Sequence, residues 1–302
     1  SMQLGNRYFR IESLSKDIQA LIELDNEILN SKDACATDHS TPKNNTLTKP
    51  NTQTITSCNS RNVRVLVMFT DAANRISNPN QLANTVIANT NRSLYNSKIY
   101  SSNLKFQLAG VKRINWTESG NAHTDLFKKL VNSKELNKER QNHGADLVVV
   151  LTNGKYGGTL GIATLNQYSY ANTGHVAIVQ ASTVGGLTFA HELGHLLGCR
   201  HDNDSRTGRS LPRNLSETAK GHVWYYRNWF WGKKYYQKSV VASGPSRGSR
   251  EMYYSNPSVK AHKKARDRTG NGKRNNYNQL RNAAAVVSCY NPYEEMTVYI
   301  GG

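Results

Sequence analysis

The stretch from His191 to Asp202 reads His-Glu-Leu-Gly-His-Leu-Leu-Gly-Cys-Arg-His-Asp, and it restricts what this chain can fold into more than any other segment. His191 and His195 are four residues apart, so on a helix both imidazoles project from one face and can share a metal. The surrounding residues, Leu187 to Leu197, are largely apolar and stop at Gly198, the pattern of a buried helix ended by glycine. Glycine allows the sharp turn that returns His201 to the same metal. A catalytic zinc site takes three protein ligands at about 2.0 Å and leaves a fourth position for water, so the pattern predicts one catalytic Zn2+ held by His191, His195 and His201. Glu192 lies beside the first ligand, where a carboxylate can act as general base on zinc-activated water attacking a peptide carbonyl. Two histidines on a helix more often face solvent or satisfy core hydrogen bonds. Five residues in register, with Gly198 and His201 among them, go beyond that ordinary pattern. Nothing in the sequence indicates a structural Ca2+ in addition.

The rest of the chain supplies a sheet for such a helix. Val63 to Phe69 is a β-rich run of strand length, Leu104 to Ile114 alternates as a strand, and Leu147 to Leu151 is the unbroken Val/Leu run of a buried central strand. Gly161 to Leu165 and His175 to Gln180 add two short strands. Pro79 to Ser97 carries Leu82, Val86, Ile87, Leu94 and Tyr95 at helical spacings, Ala122 to Asn142 reads as one helix, and Asn275 to Ser288 as a C-terminal one. Strands alternating with helices imply a mixed α/β sheet. Residues 1–34 alternate short apolar runs with charges, and residues 35–62 shift to Thr, Asn, Ser, Lys and Pro, the composition of a linker. The expected division is therefore residues 1–34, a linker at 35–62, and a catalytic domain at 63–302 with a basic, aromatic-rich insertion at about 203–250.

Charge and cysteines narrow the setting. The net charge is +18, and residues 203–274 hold 17 Lys/Arg against 4 Asp/Glu, so +13 of it falls just after the histidine motif. Such an excess draws acidic partners without saying which. No apolar run approaches the roughly 20 residues of a membrane helix, so no membrane span is expected. Ser1-Met2-Gln3 lacks the features of a signal peptide, and any natural export signal is expected to have been cut away. The four cysteines suit an oxidising compartment if Cys35 pairs with Cys58 and Cys199 with Cys289, while buried free thiols fit the sequence equally well.

These segments resemble the metzincin zinc metalloproteases, and among them the bacterial peptidyl-Asp metalloendopeptidases and the adamalysin or reprolysin-like peptidases. The likeness extends to Val63 to Ala73, Asn115-Trp116-Thr117-Glu118-Ser119, Gly144-Ala145-Asp146-Leu147-Val148-Val149 and Thr159-Leu160-Gly161-Ile162-Ala163, and so covers residues 63 to about 290. It implies an α/β (α+β) metzincin fold: a mixed twisted sheet with an edge strand lining the cleft, an active-site helix and a C-terminal helix. Gly161, Ile162, Ala163 and Thr164 would then bind an extended peptide by main-chain hydrogen bonds. Residues 7–34 resemble the end of a propeptide, which makes the chain part of a zymogen and Cys35 a candidate latency ligand to the zinc. The resemblance also implies a secreted bacterial enzyme, a monomer with protein or peptide substrates, serving as a virulence or nutritional factor. A preference for acidic residues at the cut is part of the same implication.

Metzincins carry a methionine turn beneath the zinc, and here two placements stand open. Met252 with Tyr254 forms one, with Tyr254 as an auxiliary ligand. In the other, Tyr253-Tyr254-Ser255-Asn256-Pro257 matches a segment downstream of the turn, and the turn is Ser239-Val240-Val241-Ala242-Ser243 with Val241 in place of the methionine. The second matches better. A different class of function, nucleic-acid or glycan binding, would use Trp224, Tyr225, Tyr226, Trp229, Phe230 and Trp231 interleaved with Arg227, Lys233 and Lys234. Retention of Glu192 argues against it, because a pure binder has no need of a carboxylate beside a zinc water. Hairpin packing is the ordinary role for such a cluster.

Overall fold

A computed structural model describes residues 61–290 except 71–72, 74–77, 100–103, 154–155, 157, 166–174, 209–210, 212–214, 228–233, 244–247 and 262–266. Residues 2–4, 7–13, 19–24, 35–38, 186, 226–227 and 234–235 are described by backbone alone. The strands are β1 Met2–Leu4, β2 Arg7–Ser13, β3 Gln19–Leu24, β4 Cys35–Asp38, β5 Asn62–Thr70, β6 Lys105–Ile114, β7 Leu147–Thr152, β8 Gly161–Thr164, β9 Val176–Gln180, β10 Val223–Arg227, β11 Lys234–Lys238 and β12 Gly248–Arg250. The α-helices are α1 Pro79–Asn96, α2 Lys134–Asn142, α3 Thr188–Leu196 and α4 Asn276–Val287.

The main sheet runs β4-β8-β9-β7-β5-β6. It is parallel except where β8 pairs antiparallel with β9, and so it is the mixed sheet expected from the alternation of strands and helices. Period-two burial explains how it makes two cores. Along β5, Val63, Val65 and Val67 face one apolar cluster while Leu66 and Met68 face the other, and along β7 Val149 and Val150 divide in the same way. The first cluster includes Val86 and Leu94 of α1, Leu193 and Leu196 of α3, and Leu280 and Ala284 of α4. The second is closed by Leu126, Leu130 and Leu136. Every residue of β7 is buried, as its Val/Leu run predicts for a strand covered on both faces.

The ends of the helices follow local chemistry. Asn78 caps α1 by accepting from Gln81 N, with Pro79 in the first turn, and Asn275 caps α4 by accepting from Asn278 N. Two expectations are corrected. The single helix expected over 122–142 is broken into a π-helical turn at Thr124–Leu130 and α2, because Ser133 turns extended and its hydroxyl accepts from Leu136 N to start a new helix. Tyr95, expected on the apolar face of α1, is 57% exposed, so that face ends at Leu94.

Two smaller sheets accompany the main one. β1, β2 and β3 form an antiparallel sheet within residues 1–34. β10 and β11 form an antiparallel hairpin, to which β12 adds in parallel. Cys35–Asp38, inside the stretch whose composition reads as a linker, is the outermost strand of the main sheet and pairs parallel with β8. Among the described residues no helix is long and apolar enough to cross a membrane.

Candidate metal centre

Helix α3 is buried along its whole length, and its histidines face a returning loop. Gly198 ends the helix at φ +82°, a left-handed conformation that glycine adopts without strain, and the chain then swings His201 back over the helix. The three Nε2 atoms converge: His191 to His195 is 3.0 Å, His195 to His201 3.1 Å and His191 to His201 3.2 Å. No other group of three or more such side chains is close enough to hold an ion among the described residues.

The hydrogen bonds on the far side of two rings fix what those nitrogens can do. His191 Nδ1 lies 2.6 Å from the Val240 carbonyl and His195 Nδ1 lies 2.7 Å from the Cys199 carbonyl. A carbonyl oxygen only accepts, so each Nδ1 carries the proton and each Nε2 presents a lone pair. Lone pairs facing each other at 3 Å repel and cannot hydrogen-bond, and a cation among them resolves the conflict. Burial pushes the pKa of His191 well below its ordinary value, and positive neighbours led by Arg250 push the same way, while the Val240 bond opposes them. The imidazole therefore stays neutral, which is the ligand form. An N3 donor set held by outer-shell carbonyls suits Zn2+.

Glu192 is fully buried next to its ligand neighbour, and its carboxyl group lies against the backbone of β8. A Cβ on Gly161 would stand 2.5 Å from Glu192 Oε1, so any larger residue there would displace the carboxylate. Gly161, Ile162, Ala163 and Thr164 are thus brought directly beside the histidine helix, all buried, with β9 on one side and β4 on the other. In that register Cys35 stands opposite Gly161. The Cys35 side chain lies outside the described atoms.

Beneath α3 runs the turn at Ser239–Ala242. Val240 supplies the carbonyl to His191, and Val241 packs so tightly on the helix that a Cβ on Gly194 would meet its Cγ2 at 2.7 Å. Asp202 Oδ1 accepts from Ser243 N at 2.8 Å and from Ser243 Oγ at 3.3 Å, tying His201's neighbour to the end of the same turn. Met252 is half-buried against the first core, and its carbonyl accepts from Asn96. Tyr254 is buried, and its hydroxyl donates to the Ala190 carbonyl at 2.7 Å, which anchors α3 one residue before His191. The tyrosine oxygen is therefore directed to the helix backbone.

Other candidates are distributed differently. Cys199 is a free, fully buried thiol packed under α3, so the expected bridge to Cys289 is not made. Its surroundings are core, and burial pushes its pKa well above the ordinary value. In the aromatic hairpin Trp224 is buried, with Nε1 donating to Gln237 Oε1, and Tyr225 packs against Tyr236. Trp229, Phe230, Trp231 and Lys233 lie outside the described residues, as does Cys58. Residues that the spacing argument missed are the two carbonyl acceptors behind the rings, Val240 and Cys199, and the buried cations Lys238 and Arg250. The first pair acts through backbone, which leaves no mark on side-chain identity. The second is hidden in a run of basic residues.

Residues 59–257 match the family described as Metallo-peptidase family M12. A peptidyl-Asp metalloendopeptidase of Stenotrophomonas maltophilia (strain R551-3) is 32% identical over 206 residues, covering 65% of this chain and 45% of that protein. Another, from Xanthomonas campestris pv. campestris, is 30% identical over 206 residues, covering 65% and 44%. The chain thus spans a little under half the length of the curated relatives it matches. A structure solved as "Structure of a chaperone-substrate complex" shares 18% identity and a TM-score of 0.56 over 78% of this chain and 35% of that one, a likeness of fold.

Proposed function

The chain belongs to metallopeptidase family M12, and from that premise we propose that it is a zinc-dependent endopeptidase in which His191, His195 and His201 hold the metal and Glu192 is the general base. The observation that carries this reading is the triangle of Nε2 atoms 3.0 to 3.2 Å apart, two of them presenting lone pairs fixed by carbonyls behind the rings.

Bound there, Zn2+ supplies Lewis-acid chemistry, polarising a peptide carbonyl and bringing the pKa of water toward about 7. Glu192 adjoins the first ligand and takes the proton from the attacking water, then delivers it to the leaving amine. Gly161, by lacking a side chain, lets that carboxylate lie against β8, so proton transfer occurs beside the strand that would hold the substrate. Val240, Cys199 and the Asp202 to Ser243 bonds keep the rings and the loop in place during turnover.

An extended peptide would pair with the main chain of β8. In the full chain that edge pairs with β4. We therefore take residues 1–34 as a propeptide remnant and β4 as the segment that keeps the enzyme latent, with Cys35 nearest Glu192. An endopeptidase held back by its own N-terminus suits release outside the cell, and we place it there. Its bacterial relatives carry the name peptidyl-Asp metalloendopeptidase, which supports a preference for an acidic residue at the cut.

The test is hydrolysis of a quenched-fluorescence peptide library by the zinc-loaded protein, before and after proteolytic removal of the N-terminal segment. Cleavage that rises on removal is expected. Zinc at one equivalent with no peptide cut in either state would overturn the reading.

A further inference from the structure

A cation is buried inside the returning loop that carries His201. Arg200 is 1% exposed and stands between Cys199 and His201. The peptide group joining Cys199 to Arg200 is held on both sides. Its carbonyl accepts from His195 Nδ1 at 2.7 Å, and its N–H donates to the Ala219 carbonyl at 2.7 Å. The next peptide group, which leads into His201, is held as well, because Gly221 N donates to the Arg200 carbonyl at 2.9 Å. The main chain at this position therefore supports one histidine and leads directly into another.

The side chain locks the segment that does this holding. Arg200 Nη2 donates to the Glu217 carbonyl at 2.9 Å and to the Ser216 carbonyl at 3.3 Å, and Nη1 donates to the Arg206 carbonyl at 3.1 Å. Nη1 also pairs with Asp204 Oδ1 at 3.2 Å, and the Arg206 guanidinium engages both oxygens of the same carboxylate. One guanidinium thus gathers residues 204, 206, 216 and 217 around the position before His201. The gathered segment is fastened in turn to α4. Asn275 N donates to the Thr218 carbonyl at 2.6 Å and Ser216 N to Gln279 Oε1 at 3.2 Å, while Gln279 Nε2 donates to the Leu197 carbonyl at the end of α3 at 3.3 Å. A planar fork of five donors can serve several acceptors at once, which a lysine's point charge cannot do in fixed geometry.

We propose that Arg200 is a positioning residue of the metal centre: by tying down residues 204–217 it keeps His201, and through the Cys199 carbonyl His195, in place to receive the ion. The inference rests on the metal-centre reading and adds to it a residue that is not itself a ligand. His191 and His195 lie four apart on one helix, so the helix itself sets their mutual placement. His201 comes from a loop, where the entropy lost on ordering a residue must be offset by tertiary bonds. Arg200 supplies such bonds on the N-terminal side of His201, and Asp202 supplies them on the other through Ser243. A buried ion pair adds little to net stability, so the gain from Arg200 lies in the geometry it fixes.

The test reads zinc affinity by chelator competition on the zinc-loaded full-length protein, so it needs no turnover. Arg200→Met leaves Asp204 paired with Arg206 and removes the bonds to the Arg206, Ser216 and Glu217 carbonyls. It should weaken zinc binding about 10- to 100-fold, the usual effect of losing an outer-shell partner, and change the visible absorption of cobalt exchanged into the site. Arg200→Lys, which keeps the charge without the fork, should fall between wild type and Arg200→Met. Arg206→Met loosens Asp204 alone and should cost about two- to fivefold, the weight of a partly exposed ion pair. Leu136→Ala in the second core is the control for stability, expected to lower Tm and leave zinc affinity within about twofold of wild type. Zinc affinity of Arg200→Met within about twofold of wild type, an unchanged cobalt spectrum, or a loss that Leu136→Ala reproduces would overturn the assignment. If Arg200→Met does not fold, the same criteria apply to Arg206→Met. Zinc-loaded wild type that cuts no peptide would overturn the proposed function alone.

Discussion

The helix α3, which carries His191 and His195, and the strands β11 and β12 near it are built by opposite rules. On α3 three polar groups have fixed complements: His191 and His195 each donate to a carbonyl, and the Ala190 carbonyl accepts from Tyr254. In the neighbouring strands Lys238 and Arg250 are buried cations, and desolvation is the largest influence lowering the lysine's pKa. The first arrangement serves rigidity. The second places positive charge near His191, which disfavours protonation of that imidazole. Hydrogen bonds thus fix the rings, while buried positive charge nearby keeps His191 from protonating.

The largest effect that would break this division is loss of a metal ligand. His201→Ala should lower zinc affinity by more than the ~10- to 100-fold typical of removing an outer-shell partner, with metal content by plasma spectrometry as the readout. Retention of a full equivalent of zinc would mean that the returning loop is not part of the centre. Gly161→Ala comes next, because its methyl group would stand 2.5 Å from Glu192 Oε1. Overpacking of this kind costs about 1–3 kcal/mol, and turnover should drop with it. Unchanged urea unfolding and unchanged kcat would show that Glu192 does not lie against β8.

Two smaller substitutions sharpen the contrast. Gly194→Ala should destabilise by about 1–3 kcal/mol through its contact with Val241, and Val241→Ala in the same protein should restore part of that loss. Additive effects in this double-mutant cycle would separate the turn from the helix. Tyr254→Phe removes one buried donor from the Ala190 carbonyl and should cost about 1 kcal/mol by thermal unfolding. A much larger loss of activity at unchanged stability would instead assign the hydroxyl to the chemistry.

What could be read from the sequence follows the same division. His191, Glu192, His195, Gly198 and His201 lie within eleven residues, and helical geometry plus one glycine turn suffices to bring the histidines together. The strands of the main sheet were legible where apolar runs are uninterrupted, as in β5 and β7, because burial on both faces imposes such runs. Local capping decided the break at Ser133, where the apolar periodicity of Ala122 to Asn142 was misleading. Cys199 shows the limit of pairing arguments, since a cysteine under a helix packs as a small apolar residue. Lys238 and Arg250 come from a segment in which most charges are ordinary surface, and only the pairing of β11 with β12 singles out these two.

The central claim is that His191, His195 and His201 hold a metal whose chemistry Glu192 completes. Its most direct test is zinc content and peptide turnover measured together on wild type and Glu192→Gln. The account predicts one equivalent of zinc in both and a turnover about 10^2- to 10^4-fold lower in the variant, the usual weight of a general base. Equal turnover at equal zinc would contradict it.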